Sequence, residues 1–230
     1  MILLKKIYYK KYSNRSYSIS NVDLIIDRLF RSIKNGTYID VGCNHPIKYN
    51  NTYLLYKRGW SGINIDSDYT SIKEFKKFRK NDYNVNATVS DTIGIKELYE
   101  YHDRSALNTL SKELVDSRTN KPKNIIKKKT MLLNEIIEQS PFKNKKINLM
   151  SIDVEDHEYE VLKNFDFEKY KIDIIVSECL NIRLKKLEIY NYTLEFIKSS
   201  KIYNLLIKNN YNLINWVHSD LVFARKDMDI

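Results

Sequence analysis

A short apolar run, Tyr38-Ile39-Asp40-Val41, stops at Gly42 within the stretch Gly36 to Pro46, and a second run, Gly62-Ile63-Asn64-Ile65-Asp66, stops on a carboxylate. Two adjacent parallel strands that end this way make a nucleoside-binding edge. The glycine lets the backbone approach a ligand, and the acid accepts hydrogen bonds from ribose hydroxyls. A dinucleotide loop carries three glycines where this turn carries one, so the pyrophosphate cradle is missing. The pair therefore favours S-adenosylmethionine over NAD. The same strand ending also occurs in proteins that bind no nucleoside, so the rest of the chain has to support the reading.

Periodicity predicts alternating helices and strands. Helical spacing covers residues 22–33, with Asn21 as cap, and strand one follows at 38–41. A helix is expected over 52–57, strand two over 62–66, a helix over 69–80 and strand three over 83–89. Residues 95–101 alternate like a solvent-faced strand that 125–130 could pair with, and the polar stretch 103–124 reads as a loop or lid. Then come a helix at 131–139, strand four at 147–154, a helix at 158–165, strand five at 174–178 and one long helix over 187–208. Residues 211–217 and 220–225 form a hairpin that turns at His218-Ser219. The outline is α/β: a Rossmann-like, doubly wound, mostly parallel sheet with an antiparallel C-terminal hairpin, as in class I methyltransferases.

Length favours one domain over 1–230: an N-terminal helical segment at 1–35, then a core at 36–230 that carries 95–130 as an insertion or lid. The 43% hydrophobic fraction suffices for a core, and no apolar run approaches the roughly 18 residues that cross a bilayer. The opening Met1-Ile2-Leu3-Leu4 meets Lys5-Lys6 too soon for a signal peptide, so a cytoplasmic protein is expected. Cys43 and Cys179, at strand ends with one strand between them, would lie about 10 Å apart. That is too far for a disulfide and fits a reducing compartment. The net charge of +10 admits a lysine-rich surface, attraction to an anionic acceptor or glycolipid surface, or nucleic-acid binding.

In an open α/β sheet the ligand lies at the carboxyl ends of the strands. Those ends carry Asp40 and Asn44, Asp66, Asn86 with Ala87, Asp153 with Glu155 and His157, and Glu178. The densest run is Ser151-Ile152-Asp153-Val154-Glu155-Asp156-His157-Glu158. It could supply a general base, divalent-metal ligands or both, and each member could equally be a helix cap or a surface group. His157 suits base work because an unperturbed imidazole titrates near neutrality.

The chain resembles the FkbM-type methyltransferases. The resemblance rests on an ordered series: Ser16-Tyr17-Ser18, Asp23 to Phe30, Tyr38 to Pro46, Asn51-Thr52-Tyr53-Leu54-Leu55-Tyr56, Gly59 to Asp66, and Ile152 to Glu158. It implies S-adenosylmethionine as methyl donor and a hydroxyl acceptor on a sugar, glycan or related molecule. Asp40, Gly42, Asn44, Asp66, Asn86 and Ala87 would hold the donor, with Asp40 and Gly42 at its methionine end. Asp153 and His157 would be catalytic. Asp153 and Glu178 would bind Mg²⁺ or another divalent cation, with metal-free catalysis by Asp153 as the rival account. Two positions depart from the family: Asp156 stands where glycine is usual, and Ile19 and Val22 stand where Gln and Glu are common. RNA methylation and a non-catalytic binding module are the alternatives. No lysine stands beside the Asp153 run to support the first, and the retained strand-end acids weigh against the second.

Overall fold

A computed structural model describes residues 14–102, 104–182 and 193–228. Helix α1 (Val22–Leu29) leads to β1 (Thr37–Val41), α2 (Tyr53–Lys57), β2 (Ser61–Asp66), α3 (Tyr69–Phe78) and β3 (Tyr83–Asn86). Next come β4 (Thr88–Val89), β5 (Gly94–Glu100), α4 (Lys112–Ser117), β6 (Asn124–Met131) and α5 (Leu133–Glu138). The last part holds β7 (Leu149–Ile152), α6 (Glu158–Leu162), α7 (Phe167–Tyr170), β8 (Ile174–Glu178), α8 (Leu194–Ser199), α9 (Lys201–Lys208), β9 (Tyr211–Val217) and β10 (Asp220–Arg225).

The main sheet has the order β3-β2-β1-β7-β8-β10-β9. Its first five strands are parallel and β10 runs antiparallel to both neighbours. Strand order reverses between β1 and β7, which makes their carboxyl ends the switch point where a ligand crevice opens. This is the doubly wound class I methyltransferase architecture.

Alternation along each strand divides the core. Ile39, Val41, Ile63, Ile65 and Ile152 pack on one face with Leu133 and Ile136 of α5 and Leu162 of α6. Tyr38, Leu149, Ile174 and Val176 pack on the other with Val22, Ile26, Phe30 and Trp60. Each such side chain, once fully buried, contributes about 1.5–3 kcal/mol of transfer free energy.

A second, three-stranded sheet has the order β4-β6-β5. The expected 95–101 and 125–130 pairing is its antiparallel half, with Leu98 opposite Ile126. Strand three does not run to Val89. It leaves the main sheet at Ala87, whose N–H donates to the Asp66 carbonyl, and then pairs with β6 as β4. Strand four is shorter than expected, because Glu155 and Asp156 already take left-handed backbone conformations. The polar stretch after β5 contains α4, capped by the Ser111 hydroxyl accepting from the Leu114 N–H. Asn21 precedes α1 but makes no side-chain cap bond.

The single helix expected over 187–208 is two helices where it is described. Ser200, in an extended conformation, ends α8 and caps α9 through the Tyr203 N–H. Residues 187–192 of that expectation lie outside the described residues, as do 1–13 of the N-terminal segment and Asp103 of the expected loop. Cys43 and Cys179 are both buried and free. No helix among the described residues is long and apolar enough to cross a membrane.

Candidate active site

Asp66 closes β2 and serves as a junction for the turns around it. Its Oδ2 accepts the Asn44 N–H at 2.8 Å, and its Oδ1 accepts the Asp68 N–H at 2.7 Å. Asn44 reaches this position with φ at 49°, a left-handed conformation that Asn tolerates. Each carboxylate oxygen keeps a lone pair for a further donor. Burial pushes the carboxyl up to about 6, against the two N–H bonds that favour its charge.

Beside Asp66 opens a cavity of about 90 Å³. Of the residues singled out from sequence, Gly42, Asn44, Asp66, Ala87, Asp153, Glu155 and His157 line it. Asp40, Asn86 and Glu178 do not. Asp40 shares its strand face with Tyr38, not with Val41, so its carboxylate turns away from the cavity. It accepts from Asn50 Nδ2 at 3.0 Å and Thr52 Oγ1 at 2.7 Å. Asn86 is exposed, and its side chain donates to the Asp66 carbonyl. The orientation of Asp40 follows from strand parity, whereas Asn86 stands at the exposed end of β3.

Gly42 is required for a reason other than donor approach. Its φ is +77°, and an added Cβ would lie 1.8 Å from the Asp153 carbonyl oxygen. The glycine lets the ends of β1 and β7 close on each other, which sets Asp153 at the cavity wall.

Behind this wall sits a buried cation that the sequence did not announce. Arg79 is fully buried. It donates to the Pro46 carbonyl at 2.9 Å, to Thr52 Oγ1 at 2.7 Å, to Tyr38 Oη at 3.3 Å and to Asn50 Oδ1. Thr52 and Asn50 in turn hold Asp40, and Asp82 Oδ2 lies 4.0 Å from the guanidinium, so two buried carboxylates share the charge of Arg79. A lone arginine at a helix end usually reads as a solvated group.

Past β7 the chain turns sharply. Asp153 is open to the cavity yet ringed by protein, and that enclosure, with the charges of Glu155 and Asp220, raises its pKa well above the carboxylate range. Oxygens of Asp153, Glu155 and Glu178 lie within 4.8 Å of one another. Glu155 is raised by burial but held against Arg118 by a salt bridge. Asp156, at φ 67°, takes the left-handed conformation that glycine would supply. Its Oδ2 accepts from the Ser111 hydroxyl at 2.7 Å. The family departure thus keeps the turn and adds a carboxylate outside the first cavity.

His157 is buried, with Nε2 2.9 Å from Ser90 Oγ and Nδ1 3.9 Å from a Glu160 oxygen. Burial, helped by Lys96, lowers it to about 4. The near-neutral pKa that recommended it as a base does not hold here, and a neutral imidazole in this setting positions its neighbours.

The outer wall comes from residues 104–110, within the polar stretch read from sequence as a loop or lid. Arg104 clasps Glu74 with two bonds of 2.8 and 2.7 Å. Its N–H donates to Asp68, and its carbonyl accepts from Asn44 Nδ2. The wall is thereby tied to the two residues that hold Asp66.

With this geometry in view, the family comparison is decisive: the profile described as Methyltransferase FkbM domain matches residues 40–203. The chain belongs to the FkbM methyltransferase family. Comparison with curated proteins and with solved structures gave no match. Membership of the FkbM methyltransferase family implies S-adenosylmethionine as methyl donor. Asp66 keeps free acceptor capacity beside the switch-point cavity, where the nucleoside end would lie.

Proposed function

We propose that this FkbM methyltransferase methylates a hydroxyl of a sugar, glycan or related small molecule, with Asp153 as general base. S-adenosylmethionine supplies a methyl group already activated on a sulfonium, so the protein has to align the acceptor and remove its proton. The observation that carries the reading is the place of Asp153. It lines the Asp66 cavity and stands within 4.8 Å of Glu178, which lines a second cavity. A carboxylate there reaches both a donor beside Asp66 and an acceptor beyond it. Its raised pKa makes it a stronger base than an ordinary aspartate. His157, bonded to Ser90 and neutral, orients the turn that carries it.

A second reading is favoured by the carboxylate spacing. Oxygens of Asp153 and Glu178 have the hardness and proximity to hold a divalent cation, which would lower the pKa of a bound hydroxyl. The buried, reduced cysteines support the expectation of a cytoplasmic enzyme.

The test is a mass-shift assay with purified protein, S-adenosylmethionine and a glycan panel, with and without EDTA. A methyl added in EDTA, and cut about 10²–10⁴-fold by Asp153→Asn with donor affinity retained, supports Asp153 as base. Activity lost in EDTA and restored by Mg²⁺ selects the cation. Undiminished activity of Asp153→Asn rules out both roles.

A further inference from the structure

The cavity beside Asp66 is smaller than the donor that has to enter it. Its volume of about 90 Å³ holds a few waters, whereas sites for ligands of drug size start at roughly 300 Å³. One wall therefore has to move when S-adenosylmethionine binds. The floor is Gly42, Asp66, Ala87 and Asp153, at strand ends that backbone hydrogen bonds hold to one another.

The facing wall is a loop that returns on itself. Its stem belongs to the second sheet. Tyr99 and Thr109 exchange backbone bonds of 2.9 and 3.2 Å, and the Tyr101 N–H donates to Asn108 Oδ1 at 2.9 Å. The tip, residues 104–107, crosses from that sheet toward α3 and brings Arg104, Ser105 and Ala106 to the cavity. Among the described residues, every hydrogen bond from the tip to the main-sheet side involves a side chain. The Arg104 N–H donates to Asp68 at 2.9 Å, and its carbonyl accepts from Asn44 Nδ2 at 3.4 Å. The guanidinium clasps Glu74 of α3. Arg104 holds this pose at φ 56°, where its Cβ crowds the backbone, so the lowered tip is strained and depends on its ties. Glu74 does not line the cavity, so it holds the tip down from outside the donor's space.

Taking S-adenosylmethionine as the donor, we propose that residues 104–107 are a gate latched shut until the donor binds, and that the Arg104–Glu74 pair is the latch. The donor enters when the tip lifts off α3, and the pair breaks as it lifts. A contact made in the closed state and lost in the loaded one lowers apparent affinity by the fraction of chains that are open. Glu74 therefore acts against donor binding, although its partner stands in the donor's own wall.

Glu74→Gln separates a latch from a support. Donor affinity is measured by calorimetry, and association and dissociation of S-adenosylmethionine by stopped flow, for both chains at about 50 and 500 mM salt. The variant is expected to bind about two- to fivefold tighter at low salt, the range that a partly exposed ion pair allows. The gain should come from faster association with dissociation unchanged, and it should shrink at high salt, which screens the latch in the native chain. A mere support for Asn44 and Asp68 gives the opposite sign, since its loss loosens the groups that hold Asp66. The field of Glu74 alone does so too, because the donor carries a net positive charge. Equal or weaker binding by the variant overturns the inference, as does a gain carried by slower dissociation or one that grows with salt. A native chain that binds no S-adenosylmethionine overturns it together with the donor assignment. Normal native binding that Glu74→Gln leaves unmoved fails the gate alone.

Discussion

The Asp66 carboxyl, pushed up to about 6 by burial, should make donor binding depend on pH in a calculable way. Ribose hydroxyls donate to the ionised form, and a protonated Asp66 offers them a weaker acceptor. The apparent dissociation constant then scales as one plus the ratio of protonated to ionised carboxyl. That ratio is about 10 at pH 5 and about 0.01 at pH 8 for a group titrating near 6. Affinity for S-adenosylmethionine should thus fall about elevenfold between pH 8 and pH 5, or about 1.4 kcal/mol. The loss has a floor. Exchanging two charged hydrogen bonds for two neutral ones costs about 2–3 kcal/mol, so the curve should level off at still lower pH. Calorimetry from pH 5 to 8 reads the curve directly, and in buffers of different ionisation enthalpy it should show about half a proton released on binding near pH 6. Asp66→Ala should weaken binding at least about tenfold at pH 8 and erase this pH dependence, since both require the same carboxylate. Affinity that is flat from pH 5 to 8 in the native protein, or an equal pH slope in the variant, would refute the assignment of Asp66 to the ribose.

Two further outcomes follow from the buried charges. Arg79→Met should destabilise the fold by about 3–5 kcal/mol in urea unfolding, because it leaves both Asp40 and Asp82 buried without their shared counter-charge. Adding Asp40→Asn should recover part of that loss, and additivity of the two changes would show that the groups are uncoupled. Burial raises the carboxyls of Asp153, Glu158, Glu178 and Asp220, and mutual repulsion adds to it at the first three, so the folded chain keeps protons that the unfolded chain has already released. Their contribution to stability is therefore greatest at low pH and declines as pH rises from the ordinary carboxylate range through the raised folded values. Glu178→Gln should be more stable than the native protein at pH 8, with the gap closing toward pH 5. A gap that widens toward pH 5 reverses the sign and excludes this account.

Local pattern carried the sheet well and the site unevenly. The glycine turn after β1 and the acid ending β2 are properties of a few consecutive residues, and they lie where the strand reading puts them. Parity could have shown that Asp40 faces away from the cavity, since it alternates with the core residues Ile39 and Val41. Asn86 stands outside the cavity lining, exposed at the end of β3 just before the chain leaves the main sheet. Other features depend on partners far along the chain. His157 is depressed by burial, with Lys96 adding to it from the second sheet, and no spacing within 151–158 encodes that. Arg79 is buried because Pro46, Asn50 and Thr52 fold over it from a loop that precedes it by α2, β2 and α3. The break of the expected 187–208 helix at Ser200 is a cap that an unbroken apolar period conceals.

The ligand-facing surfaces are divided unequally among the chain's elements. Asp66, Gly42, Asn44 and Ala87 stand on strand ends or their immediate turns, held by sheet hydrogen bonds and by the Arg79 network beneath. Most of the second cavity is side chains on short helices and loop positions, with Glu178 as the strand-borne exception. Substitutions that redraw the second cavity can therefore accumulate without moving the strand ends. A directed-evolution library confined to positions 110–113 and 195–202 should yield altered acceptor preference at little expense in donor affinity, whereas equal variation in the turn after β1 should mostly yield chains that do not fold.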